Sequence, residues 1–277
     1  MKRRNGRIAA LIPALILILA AACALILRTG GQEAPQEGNL LVNGDFSAVT
    51  GGMPDGWETG MWVTSAGASY LEATTAADGT RVVTDQYDDS VGVALLPLEA
   101  ELVTMSHGHH DHCCEEMLHG APRIVRGTDS AHAGSVTTHA YASWHDDAHG
   151  AKRGESCVRV FEADGLRVVH MGDQGCMPAP EVLAAIDRPD VLLVPVGGFY
   201  TVDARGAKAI CEAAHPRCVV PMHYLTAHGA YSVIGDHRAF LSQMGAQDAQ
   251  PVDALTLAPG SVPEGVVLMQ PQADALR

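Results

Sequence analysis

From Ser106 to Cys113 the chain reads S-H-G-H-H-D-H-C, which puts four histidines and one aspartate into positions 107 to 112. Imidazole nitrogens and carboxylate oxygens are donors that divalent transition ions take, and a sharp loop at the end of a buried strand can aim several at one point. In an extended chain His107 and His109 project to the same side, while Asp111 and His112, beyond the turn, can reach a second position nearby. The spacing suits two ions.

Such a loop needs strands to hold it. PLEAELVTMSH (97–107) reads as a strand that ends on the histidines, and DGTRVVTD (78–85) as a turn feeding another. CCEEMLHG (113–120) predicts a helical turn or two ending at Gly120, and PRIVRG and SVTTHAYAS are further strands. CVRVFEADGLRVVHMGD (157–173) has two β-rich segments about an Asp-Gly turn, the strongest hairpin signal in the chain. After it come a helix at PEVLAAID, a buried strand at DVLLVPVG (190–197) and a helix at DARGAKAICEAAH (203–215) that starts on Asp203. Ala204, Ala207, Cys211 and Ala214 share one face of that helix. CVVPMHY (218–224) is again a buried strand, Asp236 to Met244 a helix, and two short strands close the chain. Paired strands followed by alternating helix and strand point to layered α/β with mixed sheets and helices outside.

With 277 residues, 47% of them hydrophobic and 18% charged, the chain is sized for one large domain or two small ones. Its net charge of −14 would repel a phosphate backbone, and no basic run lies outside the N-terminus, so no nucleic-acid partner is expected. Seven cysteines, an odd number without a CxxC pair, fit reduced thiols better than a disulfide framework. MKRRNGR precedes a charge-free stretch over 8–27, long enough to cross ~30 Å of hydrocarbon as a helix. Residues 1–30 are therefore expected to be a signal peptide or membrane anchor, with the rest extracytoplasmic. Ala20-Ala21-Ala22-Cys23 suggests a lipoprotein box with Cys23 as the lipidated residue, an alternative to an uncleaved anchor. Residues 31–61 read as a linker and a partial module: NLLVNGDFSAVTGGMPDGW (39–57) resembles the opening of carbohydrate-binding jelly rolls, in which Trp57 and Trp62 could stack on a sugar.

The histidine loop, followed in order by SWHDDAHGAKRGES (143–156), VVHMGDQG (168–175), VPVGGFYTVDARGA (194–207) and PMHYLT (221–226), and preceded by TDQY (84–87), resembles the metallo-β-lactamase fold. The nearest likeness is the subgroup that includes the L-ascorbate-6-phosphate lactonases. That resemblance implies a four-layer αβ/βα sandwich over 62–277, acting on a small-molecule ester, lactone or phosphoester. It implies a first ion on His107, His109 and His145, a second on Asp111, His112 and His223, and Asp173 bridging them. Zinc is the expected metal, with manganese the alternative, and a shared hydroxide the nucleophile. Asp111 would orient that hydroxide and carry a proton to the leaving group, and Asp85 would orient a metal-binding histidine from behind. His139 and His149 compete with His145 by proximity, whereas His110, Cys113 and Cys114 fall at positions where the family has no ligand. Phe199, Tyr200, Thr201, Tyr224, Thr226 and His228 are expected around the substrate, and Arg153 either meets an anionic substrate or makes a surface salt bridge.

Two departures from the family pattern stand out. Gln86 replaces a proline in the turn that places Asp85, and the usual G-H-x-[SC] phrase of the first strand is reduced to Ser65-Ala66-Gly67-Ala68-Ser69. The second departure predicts a first sheet lacking a strand, as in a leader fused to a truncated hydrolase with an impaired, cytoplasmic metal site. An exported carbohydrate-binding lipoprotein is the other alternative.

Overall fold

Strand-forming runs assemble into two sheets whose C-terminal strand ends converge on the histidine loop. The computed structural model of the protein describes residues 49–50, 53–54, 61–66, 71–91, 98–116, 118–226 and 229–270, with side chains from Thr75 onward. The apolar stretch 8–27, Cys23, the NGDF phrase, Trp57 and His228 lie outside the described residues. Among those described, no helix is long and apolar enough to cross a membrane.

The first sheet contains β1 (Met61–Ala66), β2 (Leu71–Thr75), β3 (Arg81–Thr84), β4 (Leu102–Met105) and β5 (Arg123–Arg126). The second contains β6 (Ala131–Ala133), β7 (Val136–Trp144), β8 (Glu155–Ala163), β9 (Leu166–His170), β10 (Val191–Pro195), β11 (Cys218–Met222) and, late in the chain, β13 (Gly265–Val266). β12 (Leu255–Leu257) returns to the first sheet, so the six-stranded order is β12-β1-β2-β3-β4-β5 and the seven-stranded order β6-β7-β8-β9-β10-β11-β13. Both sheets are mixed: β3, β4 and β5 run parallel, as do β9, β10, β11 and β13, while the remaining neighbours are antiparallel.

Period-2 alternation sends one face of β3, β4 and β5 inward and the other outward. Val82, Leu102 and Val125 join the main core with Val158, Val160, Val169, Leu192 and Val220 of the second sheet. Their neighbours Val83, Val103 and Ile124 pack outward with Tyr87, Val91, Cys113 and Leu118. Strands β10 and β11 are buried along their whole length, as expected of parallel strands covered on both faces. Helix α2 (Ala204–Ala214) buries Ala207, Ile210, Cys211 and Ala214 and packs beside α1 (Pro180–Ala185) and α3 (Arg238–Met244). Its Asp203 cap accepts the Gly206 N–H at 2.8 Å, which satisfies one of the four orphan donors of the first turn. The β8–β9 hairpin turns on Asp164 and Gly165 at φ 55° and 76°, the paired positive values a tight two-residue turn requires. The mixed α/β fold expected for the family is the one observed.

Two expectations are corrected. Residues 113–120 do not form a helix: Leu118–His119 pairs parallel with Leu98–Glu99, and the Cys114 N–H bonds the Gln86 carbonyl. Tertiary packing of Cys113 and Leu118 on the outer face of the first sheet overrides the local helical pattern. Nor does the first sheet lack its opening strands. Trp62 pairs with Thr75 on one side and Thr256 on the other, inserting β1 between β2 and β12. The ladder is made by backbone groups, so loss of the family's histidine phrase changes side chains and leaves the strand in place.

Candidate metal centre

Direction decides where the donors meet. β7 runs parallel to β9, because each is antiparallel to β8 between them, and β10 and β11 run the same way. His145 follows β7, Asp173 lies three residues after β9 and His223 directly follows β11, so all three emerge at the same edge. The 107–112 loop leaves the end of β4 and reaches that edge from the other sheet.

Asp173 Oδ2 is the centre of the arrangement. The Nε2 atoms of His145, His223, His112 and His107 lie 3.1, 3.3, 3.4 and 4.0 Å from it. His107, His109 and His145 form one group whose donor atoms all lie within 4.8 Å of one another, and His112, Asp173 and His223 form a second. His107 Nε2 and His109 Nδ1 are 3.0 Å apart, while the rings of His112 and His223 stack at 6.1 Å and 9°. Asp111 stands at the margin, with Oδ2 4.0 Å from His112 Nε2 and a side chain 17% exposed.

A carboxylate behind the loop fixes its orientation. Asp85, buried and in the left-handed region at φ 51°, accepts the Ser106 N–H and O–H at 2.6 Å each and meets His112 Nδ1 at 3.2 Å. Burial alone would raise its pKa, but the hydrogen bond and charge of His112 outweigh it and hold the group down at about 2. With both oxygens engaged by Ser106, Asp85 acts as an orienting partner for His112 although it also lies within reach of His107. The turn keeps this geometry with Gln86, itself fully buried, in place of proline.

Electrostatics follow from crowding. Burial, helped by the charge of His112, pushes His107 down to about 3, so it is a neutral imidazole with a lone pair to give. Burial likewise lowers His109. For His112 burial opposes protonation, but Asp173 and Asp85 prevail and hold it well above the usual histidine range. Burial would raise Asp173, yet His112 and His223 hold its carboxyl well below the usual carboxylate range. Imidazole nitrogens gathered about a shared ionised carboxylate make a nitrogen and oxygen donor set that fits a divalent transition ion.

Residues 63–223 match the family described as the beta-lactamase superfamily domain. The chain belongs to that superfamily. Relatives named "UPF0173 metal-dependent hydrolase" include one from Archaeoglobus fulgidus, 27% identical over 47% of this chain and 68% of its own length. Another, from Thermococcus onnurineus, is 30% identical over 47% of this chain and 69% of its own. A Thermotoga maritima structure described as a candidate Zn-dependent hydrolase of the metallo-beta-lactamase superfamily is 28% identical and superposes at TM-score 0.62, covering 76% of this chain and 98% of that one. This protein is accordingly a metal-dependent hydrolase of the metallo-β-lactamase superfamily.

In the hydrolase, the competing histidines fall away from the cluster. His139 sits against Tyr141 on β7, His149 packs edge-on to Trp144, and His110 is mostly exposed beside Asp88. Cys113 and Cys114 are half-buried, and neither belongs to a metal-capable group among the described residues. The residues expected around the substrate differ in burial. Tyr200 lines a lip beside exposed Phe199, and Thr226 is half-buried. Thr201 is buried and donates to the Val202 carbonyl. Tyr224 packs in the core, its ring 4.9 Å from that of His237 and its hydroxyl 3.5 Å from the Met269 carbonyl.

Sequence reasoning also missed the supports. Ser106 couples Asp85 to His107, whose Nδ1 lies 2.9 Å from its hydroxyl. Gly175 and Gly197 let backbones approach: an added Cβ would lie 2.3 Å from the His145 carbonyl carbon and 2.3 Å from the His223 oxygen, respectively. Their signal was present in GDQG and VGG, where glycine beside a ligand marks close backbone packing.

Proposed function

We propose that the protein is a binuclear hydrolase that cleaves a small ester, lactone or phosphoester. The observation that carries this reading is the position of Asp173 Oδ2 between two donor groups, one of three histidines and one completed by His112 and His223. His107, His109 and His145 would hold one divalent ion, and His112, His223 and Asp111 the other, with Asp173 shared and zinc favoured over manganese by the imidazole-rich set. When bound, such a pair supplies Lewis acidity and lowers the pKa of water toward neutrality.

The chain's own residues do the rest. Asp85 and Ser106 keep His112 and His107 in the rotamers that face Asp173, so little reorganisation is needed when substrate arrives. Asp111, partly exposed and 4.0 Å from His112 Nε2, would hold the second ion and, through its other oxygen, accept a proton from the attacking water and pass it to the leaving oxygen.

Hydrolysis of a panel of lactones, aryl esters and phosphodiesters by the zinc-loaded chain, compared with Asp111→Asn, tests the reading. The variant should lose about 10²–10⁴ in kcat, the usual contribution of a general acid or base, and the zinc content of the same sample separates that loss from loss of a ligand. Undiminished turnover in Asp111→Asn would remove the role given to Asp111, and a metal-loaded wild type inert across the whole panel would remove the hydrolytic reading.

A further inference from the structure

One cation stands in the loop that follows His145. The guanidinium of Arg153, half-buried, lies 5.8 Å from the Phe199 ring centroid and 5.5 Å from that of Tyr200, and it makes no ion pair among the described residues. Its neighbour Lys152, by contrast, is paired with Asp147 at 2.5 Å.

Both sides of this contact are tied to donors of the centre. On the arginine side, Asp146 accepts the N–H groups of Ala148, Gly150, Lys152 and Arg153, and the His145 N–H bonds the Gly154 carbonyl, so the loop is anchored on His145 at both ends. On the aromatic side, the Gly197 N–H bonds the His223 carbonyl and the Val202 N–H bonds the Gln174 carbonyl, next to Asp173. Phe199 is 62% exposed and adopts φ 59°, a conformation that is costly for a bulky side chain. Burial of apolar surface does not account for that cost. Aromatic rings hold a guanidinium by cation–π attraction without using its N–H groups, which bind oxyanions in pairs.

We propose that Arg153, presented by Phe199 and Tyr200, recognises an oxyanion on the substrate, a carboxylate or phosphate remote from the bond that is cut. The proposal rests on the hydrolase reading and narrows it to anionic esters, lactones or phosphoesters. Selectivity for such substrates would arise because a neutral analogue leaves the half-buried guanidinium without a partner.

The test uses binding, so that no substrate need be known. Straight-chain dicarboxylates from succinate to adipate and the monocarboxylates of matching length are titrated calorimetrically into the zinc-loaded full chain, its Arg153→Gln variant and its Arg153→Lys variant. In the wild type, the best dicarboxylate should bind at least about tenfold tighter than its monocarboxylate. Arg153→Gln should reduce that ratio to within about threefold with monocarboxylate binding unchanged, and Arg153→Lys should keep part of it, since a point charge lacks the paired donors. A wild-type ratio near one, a ratio that survives in Arg153→Gln, or equal weakening of both ligand types, as expected of a purely structural clamp, would overturn the proposal. Metal content of the same samples separates the two ideas: a wild type that holds no zinc defeats the hydrolase reading, whereas a zinc-loaded wild type without the preference defeats only the role of Arg153.

Discussion

Residues 107–112 bring three imidazoles to the centre on one turn, with Asp111 at its margin, whereas His145, Asp173 and His223 arrive singly, each beyond the end of a different strand of the seven-stranded sheet. The loop is held from behind by side chains, with Asp85 and Ser106 bonded to each other and to His112 and His107. Two of the single donors are held by the close approach of backbones, at Gly175 against His145 and at Gly197 against His223. Side-chain support can be removed one hydrogen bond at a time, but backbone support fails when volume is added. The two regions should therefore be sensitive to opposite kinds of substitution.

The largest effect is expected where the regions meet. Asp173→Ala removes the carboxylate oxygen placed among four imidazoles and should lower metal affinity by more than about 100-fold, beyond the range for an outer partner. Equilibrium dialysis with zinc measures it, and affinity within a few-fold of wild type would mean that the two donor groups are independent.

Next comes the loop alone. Asp85→Ala should cost about 10- to 100-fold in metal affinity by freeing His112 and leaving the buried Ser106 N–H without its acceptor. In dialysis the loss should fall mainly on one of the two ions. Equal loss of both would blur the distinction between loop and strand ends.

Smallest is the response of the strand-end region to one added methyl. Gly175→Ala forces the His145 backbone to shift and should destabilise the fold by about 1–3 kcal/mol, as overpacking does. Denaturant unfolding reads the change, and an unaltered midpoint with unaltered metal binding would show that the backbone yields without consequence.

What the sequence disclosed follows the same division. The loop donors are legible because they are adjacent, and Asp164-Gly165 and the Asp203 cap are legible because turn and cap chemistry is local. His145 could not be separated from His139 and His149 by spacing; the end of β7 separates them, since His139 lies within the strand and only His145 leaves it at the shared edge. The 113–120 segment was misread because its backbone bonds go to a distant loop. Gly175 and Gly197 were overlooked because each meets its ligand's backbone across 30 and 26 residues of chain, a proximity that only the parallel order of the strands creates.

The central claim is that side chains from two sheets hold a pair of ions about one carboxylate. Its most direct test is elemental analysis of the full chain, saturated with zinc and dialysed free of excess, beside Asp173→Ala treated identically. The account predicts about two equivalents of zinc per wild-type chain, as a two-metal site requires, and substantially less in the variant. A wild type that keeps one equivalent or none would contradict it.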